Sequence, residues 1–162
     1  MQLTEYSRRI AVPAVTRKFG RPLDVEQIDI DRIEAIYELN EAIFQEQRVI
    51  NTFERADLIM LLASVGDRPV GFKVGYRENR FAFYSAKGGV LEAYRRCGIA
   101  RALLHEMMSV AQARGYRRFS YDTFPNRHPG MVVMGLMEGF RVVKADYNPT
   151  YKDYRIRLET KL

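Results

Sequence analysis

A mixed α/β fold of the α+β kind follows from three features of the sequence. Two neighbouring runs alternate at period two, one long helix-periodic run comes after them, and further alternating runs close the chain. The length of 162 residues suits one domain, long enough to bury a core without disulfides or metal. With 47% hydrophobic and 28% charged residues, disorder, collagen-like repeats and coiled coil are excluded.

The elements can be read in order. No repeat or linker divides 1–162, so a single unit is expected, with residues 1–20 left open as an N-terminal extension. Asp31 followed by Glu34 has the form of a capping box, and Ile33, Ile36, Tyr37, Ile43 and Phe44 recur at helical spacing, which predicts a helix over 31–45. A short helical piece is expected over 53–60, then a strand over 61–65 that ends at the turn Gly66-Asp67. Val70, Phe72, Val74 and Tyr76 alternate with Gly71, Lys73, Gly75 and Arg77, the pattern of a half-buried strand, and 81–90 reads as its hairpin partner. Gly98 opens a helix whose residues Ile99, Leu103, Met107 and Val110 form a broad apolar face, and Gly115 ends it. A strand over 118–124, a helix from Pro129 through Glu138 stopped at Gly139, and strands over 140–147 and 154–162 complete the chain.

Function classes narrow next. A single cysteine, Cys97, excludes an intrachain disulfide framework, and zinc would have to be held by Cys97, His105, His128 and scattered carboxylates, so no metal is expected. No run approaches the ~18 apolar residues that span a bilayer, so the default expectation is a reduced, cytoplasmic protein with no membrane partner. The net charge of +6 is unevenly spread. Between Lys87 and Arg127 there are eight basic residues against three acidic, whereas between Asp24 and Glu46 there are eight acidic residues against Arg32 alone. The first stretch would attract an anion and the second a cation.

The run Tyr94-Arg95-Arg96-Cys97-Gly98-Ile99-Ala100-Arg101 falls between a strand and a helix. A glycine there lets backbone approach a ligand, the first helical amides point outward unpaired, and the arginines add positive charge, a combination suited to a pyrophosphate. It has neither the Gly-Lys-Ser/Thr ending of a Walker loop nor the glycine spacing of a Rossmann turn.

Arg95, Gly98 and Ala100, in the pattern Arg-x-x-Gly-x-Ala, resemble the acetyl-CoA signature of the GCN5-related N-acetyltransferase (GNAT) family. The setting strengthens the resemblance: a strand before, a helix after, Asn126 past the next strand, and Gly139-Phe140 after a short helix. It implies a mostly antiparallel mixed sheet of about six to seven strands with about four helices. It also implies an N-acetyltransferase using acetyl-CoA as co-substrate. In such an enzyme Val90 and Leu91 hold the pantetheine arm, Arg95, Arg96, Cys97, Gly98, Ile99, Ala100 and Arg101 hold the pyrophosphate, and Asn126 contacts the cofactor. One position departs from the family pattern. Gly135 stands where members often carry a tyrosine that protonates the departing thiolate, and glycine cannot do so. The resemblance also permits a homodimer.

Acetyl transfer to an amine requires a neutral nucleophile, a route for its proton, and stabilisation of the oxyanion and thiolate. Glu46, at the end of the acidic segment, is the first candidate base, with Glu41 and Glu92 in reserve. Tyr84, Tyr147 and Tyr151 are candidates for the acid, and His128 could serve as acid or base. The acidic 24–46 segment points to a cationic acceptor such as a polyamine, a lysine or a peptide N-terminus. Two other readings compete. Gly135 would suit a non-catalytic acyl-CoA-binding domain, and the pI near 9.5, with Tyr116, Phe119 and Tyr121 interleaved among basic residues, would suit a nucleic-acid-binding module. Nucleic acid is the weaker of the two, because those aromatics alternate as strand residues.

Overall fold

The computed structural model describes residues 7–162. The chain runs β1 (Ser7–Ile10), α1 (Pro13–Phe19), β2 (Leu23–Ile28), a 3-10 turn (Ile30–Arg32), α2 (Glu34–Phe44), β3 (Ile59–Val65), β4 (Arg68–Arg77), β5 (Ala82–Val90), a second 3-10 turn (Glu92–Tyr94), α3 (Ile99–Ala113), β6 (Arg118–Thr123), α4 (Pro129–Met137), β7 (Arg141–Asn148) and β8 (Asp153–Lys161). The strands form one sheet in the order β1-β2-β3-β4-β5-β6-β8-β7. Every neighbouring pair is antiparallel except β5 and β6. That pair is parallel because α3 carries the chain across one face between them, as a crossover requires.

Alternation along β3 divides the core in two. Ile59, Leu61 and Ala63 join a cluster with Leu103, Leu104 and Met107 of α3. Met60 and Leu62 join a second cluster with Ile36 and Leu39 of α2. With both faces covered, β4 is buried throughout its middle rather than half-buried as its alternation predicts, and Lys73 is only 5% exposed.

The structure departs from the sequence reading at three further places. The sheet has eight strands rather than six to seven, because residues 7–10 and 23–28 add two antiparallel strands at one edge. The alternating positions of β2 are Leu23, Val25 and Gln27, a run too short and too polar to mark a strand. Asp31 makes no capping bond; it lies within the 3-10 turn, and Ile33 occupies the N-cap position of α2. No helix forms over 53–60: Asp57 takes a left-handed backbone (φ 52°), and Ile59 and Met60 are drawn into β3 opposite Gly75 and Val74.

α4 lies closely on β6 and β8. The Tyr121 hydroxyl of β6 donates to the Met131 carbonyl of α4 at 2.6 Å. A Cβ at position 135 would stand 2.1 Å from that hydroxyl oxygen and 2.9 Å from Leu158 Cδ2. Glycine is therefore required at 135 by the packing of Tyr121.

A polar tie joins β5, β6 and β8 on the α2 side. Tyr84 donates its hydroxyl to Asp122 (2.9 Å), Arg157 donates to both Asp122 oxygens (2.9 and 3.2 Å), and Arg157 also reaches Glu78 (2.8 Å). Burial opposes the charge on Asp122, but the hydrogen bonds from Arg157 and Tyr84 and the charges of Arg157 and Arg155 outweigh it, holding the carboxyl below its ordinary range.

Two outcomes follow for stability. Gly135→Ala should lower unfolding free energy by about 1–3 kcal/mol in urea denaturation, and adding Tyr121→Phe should recover part of the loss by removing the hydroxyl from the clash. Because Asp122 titrates lower in the folded chain than in the unfolded one, its contribution is present above the ordinary carboxylate pKa and is lost as pH falls through the folded value. Asp122→Asn should therefore cost about 1–3 kcal/mol at neutral pH and flatten the acid limb of a stability-against-pH curve.

Candidate functional site

The site begins where two strands stop pairing. β5 and β6 are in register only from Ala82 with Arg118 to Ser85 with Tyr121. On the other side of β5 the pairing jumps from Gly75–Ser85 to Val74–Lys87, so Ala86 is bulged. Beyond it, β5 continues to Val90 with no strand among the described residues on its outer edge, which leaves backbone groups free to pair with an extended ligand.

The divergence opens a cavity of about 500 Å3 that passes through the sheet. On the α3 side it is lined by Val90, Ala100, Leu103, Tyr121, Met131 and Lys73. On the α2 side Phe44, Glu46, Tyr84, Lys87, Asp122 and His128 contribute. Arg48, Arg55, Arg127 and Arg155 also stand in its wall.

Below the cavity, the second 3-10 turn leads into the turn that starts α3. Arg96 (φ 59°) and Gly98 (φ 89°) are both left-handed, and no side chain caps the first amides of α3, so those donors remain open to an anion. The three arginines of the turn divide their roles. Arg95 turns inward and its Nε donates to the Val90 carbonyl at 2.9 Å, which fixes the end of β5. Arg101 shares Glu138 with His105. Arg96, exposed, makes no ion pair among the described residues. A second cleft of about 650 Å3 lies beside the turn, where Arg17 and Lys18 of α1 join Arg95, Arg96, Cys97 and Glu92. The sequence reading left 1–20 open and so missed Arg17 and Lys18, although their basic dipeptide was visible.

The other expected cofactor residues are placed as follows. Val90 and Ala100 line the cavity. The Leu91 amide closes on the Val70 carbonyl (2.8 Å), and its side chain packs in the α2-side core instead. Ile99 and Cys97 are buried, the thiol donating to the Arg95 carbonyl at 3.3 Å. Asn126 donates to Asp153 at 2.9 Å and is not in the cavity wall.

The three candidate catalytic residues do meet at one cavity. Glu46 is engaged by Lys87 at 2.7 Å, and Lys87 lies over the Phe44 ring at 4.7 Å. His128, at the N-cap position of α4, stands edge-on to Phe44 with ring centres 6.5 Å apart. Burial, and then the charge and hydrogen bond of Asp122, push ionisation of Tyr84 well above the ordinary phenol range. The sequence reading did not single out Lys73 or Asp122, or Tyr121 as a cavity residue. Strand alternation carries no mark of which edge splays, so nothing local distinguished them.

Among the described residues no helix is long and apolar enough to cross a membrane, and no group of three or more His, Cys, Asp or Glu is placed to hold a metal. No curated protein sequence matches the chain. Solved structures do match in fold. An IAA acetyltransferase from Bacillus cereus superposes with a TM-score of 0.76 at 19% identity, covering 86% of this chain and 99% of the other. The GNAT domain of PAT from S. lividans gives 0.74 at 19% identity over 96% and 97%. A GNAT family acetyltransferase from Elizabethkingia anophelis, solved with acetyl-CoA bound, gives 0.75 at 17% identity over 86% and 98%. The family model for the acetyltransferase (GNAT) domain matches residues 16–128, which takes in β2 to β6, the splayed edge and the anion turn. The chain therefore belongs to the GNAT acetyltransferase family.

Proposed function

We propose that this chain transfers the acetyl group of acetyl-CoA directly to an amine held on the α2 side of the sheet. The observation that carries this reading is the divergence of β5 and β6 directly above an uncapped helix start. An extended pantetheine arm can add to the free edge of 86–90 as a strand would, while Arg96 and the amides after Gly98 hold the pyrophosphate. The residues present suit that group: among the described residues the edge lacks a strand and the turn lacks a capping side chain, and the cavity between them has lining residues from both faces of the sheet. The bound co-substrate supplies an activated acyl carbon, and the chain supplies position and charge. On the α2 side, Glu46 is committed to Lys87 and Tyr84 to Asp122, so His128 is the group left to take the proton from the acceptor nitrogen.

The charge of the wall redirects the choice of acceptor. The acidic 24–46 segment does not gather at the cavity: Asp24 pairs with Arg9 (3.2 Å), Glu26 pairs with Arg32 (2.7 Å), and of the eight acidic residues only Glu46 lines it. Glu46 and Asp122 are each held by a cation, and of the four arginines in the wall Arg127 is paired with Asp153 (3.3 Å) and Arg155 with Asp146 (3.9 Å), which leaves Arg48 and Arg55 to face an acceptor. The Arg48 side chain makes no ion pair among the described residues, and Arg55 rests over the Tyr76 ring at 4.5 Å. Such a wall suits an amine that also bears a carboxylate or phosphate, in place of the polycation that the acidic segment suggests.

Acetyl-CoA and CoA, at about 100 times their dissociation constants, should each stabilise the chain by about 2.7 kcal/mol, with ATP at the same concentration giving no comparable rise in Tm. Gly98→Val, which strains a left-handed position, should abolish the rise; no shift in the unaltered chain would sink the reading. In an amine panel followed by CoA release, acceptors with a carboxylate should outpace polyamines, and Arg48→Ala should raise KM for the acidic acceptors by about tenfold, the equivalent of ~1.4 kcal/mol. Faster turnover of polyamines would overturn the choice of acceptor, and CoA binding without release for any amine would favour a non-catalytic domain.

A further inference from the structure

Lys73 is a buried amine with no hydrogen-bond or ion-pair partner among the described residues. It sits in the middle of β4, opposite Leu61 of β3 and Gly88 of β5, and is 5% exposed. Leu61 belongs to the α3-side core, so Lys73 faces α3 too. Gly71 and Gly75 on either side of it leave no side chain of their own and abut Leu103 and Met107. Gly88 lets the lysine lean outward: a Cβ there would stand 3.3 Å from Lys73 Cγ. The side chain thus runs over Gly88 toward the splayed edge and joins the cavity wall with Tyr121 and Leu103.

No hydrogen bond or ion pair engages the Lys73 amine among the described residues. The polar side-chain atoms sealed without a partner are Asn40 Oδ1 and Ser120 Oγ, so the Lys73 amine, being neither, opens to the cavity. Burial alone lowers its pKa to about 8. The titratable groups on the surrounding elements do not neutralise it. Tyr121 of β6 keeps its proton on the Met131 carbonyl, with its pKa pushed up to about 12 by burial, and Glu106 of α3 is engaged by Arg8 at 3.4 Å. A cation kept in a desolvated wall with no counter-ion is costly unless an anion arrives there.

Resting on the acetyl-transfer reading, we propose that Lys73 is the catalytic acid of this chain, its ammonium stabilising and then protonating the thiolate that leaves on the α3 side of the cavity. This assigns the role that Gly135 cannot fill to a residue of a different element. In the step, the acceptor nitrogen lone pair forms the C–N bond at the thioester carbonyl, and the C–S bond breaks with its electron pair on sulfur. One ammonium proton passes from Lys73 to sulfur, leaving a neutral amine and CoA as the thiol. The proton shed by the acceptor nitrogen leaves on the α2 side, and Lys73 regains its own from water as the products depart. An acid whose pKa lies near that of the group it protonates is well matched to such a transfer.

The test reads the thiol rather than turnover, so it needs no acceptor. CoA and S-methyl-CoA are bound to the full chain, and thiolate formation is followed across pH as the difference in ultraviolet absorbance between the two complexes. The expected result is ionisation of bound CoA at least about one pH unit below that of free CoA, a tenfold change in its equilibrium, and loss of this shift in Lys73→Met. Lys73→Gln provides a second variant should the first not fold, and S-methyl-CoA binding to each variant reports an intact site. If CoA binds the unaltered chain but its thiol ionises as it does free in solution, or if the shift survives in both variants, the assignment of Lys73 is overturned while the acetyl-transfer reading stands. If neither ligand binds the unaltered chain, the acetyl-transfer reading itself falls, and the role of Lys73 falls with it.

Discussion

The parallel contact between β5 and β6 is the constraint on which the rest of the structure depends. Parallel neighbours need a crossover, and the chain supplies it with α3, whose Leu103, Leu104 and Met107 cover one face of the sheet. Once α3 lies there, its N-terminus must stand at the end of β5, and its first amides must point to the same side as the free strand edge. The pairing stops after four residues on each strand, at Ser85 and Tyr121, and the bulge at Ala86 turns the remainder of β5 away. A gap in the hydrogen-bond ladder and an uncapped helix start are thus consequences of one topological choice. Elsewhere either would be a defect; here both face the same ligand-sized space.

Charge is arranged around that gap by tertiary pairing more than by abundance. The basic excess of the chain does not form a uniform field. Arg95 is spent on a backbone carbonyl, Arg101 on Glu138 and Arg157 on Asp122 and Glu78, while Arg48 and Arg96 have no such ties among the described residues. Those two stand at the ends of the path, Arg48 by the α2-side wall and Arg96 by the anion turn, with Lys73 between them in the cavity wall. The acidic segment is dispersed in the opposite sense, since Asp24 and Glu26 of β2 pair with Arg9 of β1 and Arg32 of the first 3-10 turn. Segment sums of charge therefore described the chain well and the site poorly.

Gly135 and Tyr121 show how a departure from a family pattern can be structural in origin. Tyr121 rises from β6 into the space beside α4, and a side chain at 135 would strike its hydroxyl. The phenol that fills this space has its proton fixed on a helix carbonyl, so it preserves packing without preserving the acid.

Much was legible in the sequence because it was written in local terms. The period-two runs at 70–76 and 118–124, the helix face of Ile99, Leu103 and Met107, and the stops at Gly115 and Gly139 each follow from side-chain spacing or backbone freedom, and each appears in the structure within a few residues. The Arg-x-x-Gly-x-Ala turn was equally local, since a left-handed glycine and open helical amides need no distant partner. What the sequence could not decide was which surfaces those elements would share. The capping pattern at Asp31 and Glu34 lost to a 3-10 turn, the helical look of 53–60 lost to pairing with β4, and Lys73, marked for solvent by alternation, was buried against the cavity once α3 covered its face. The order of chemical features was set by sequence; burial and pairing arise from long-range contact, so only the tertiary structure decided which charges would stand uncompensated beside the splayed strands.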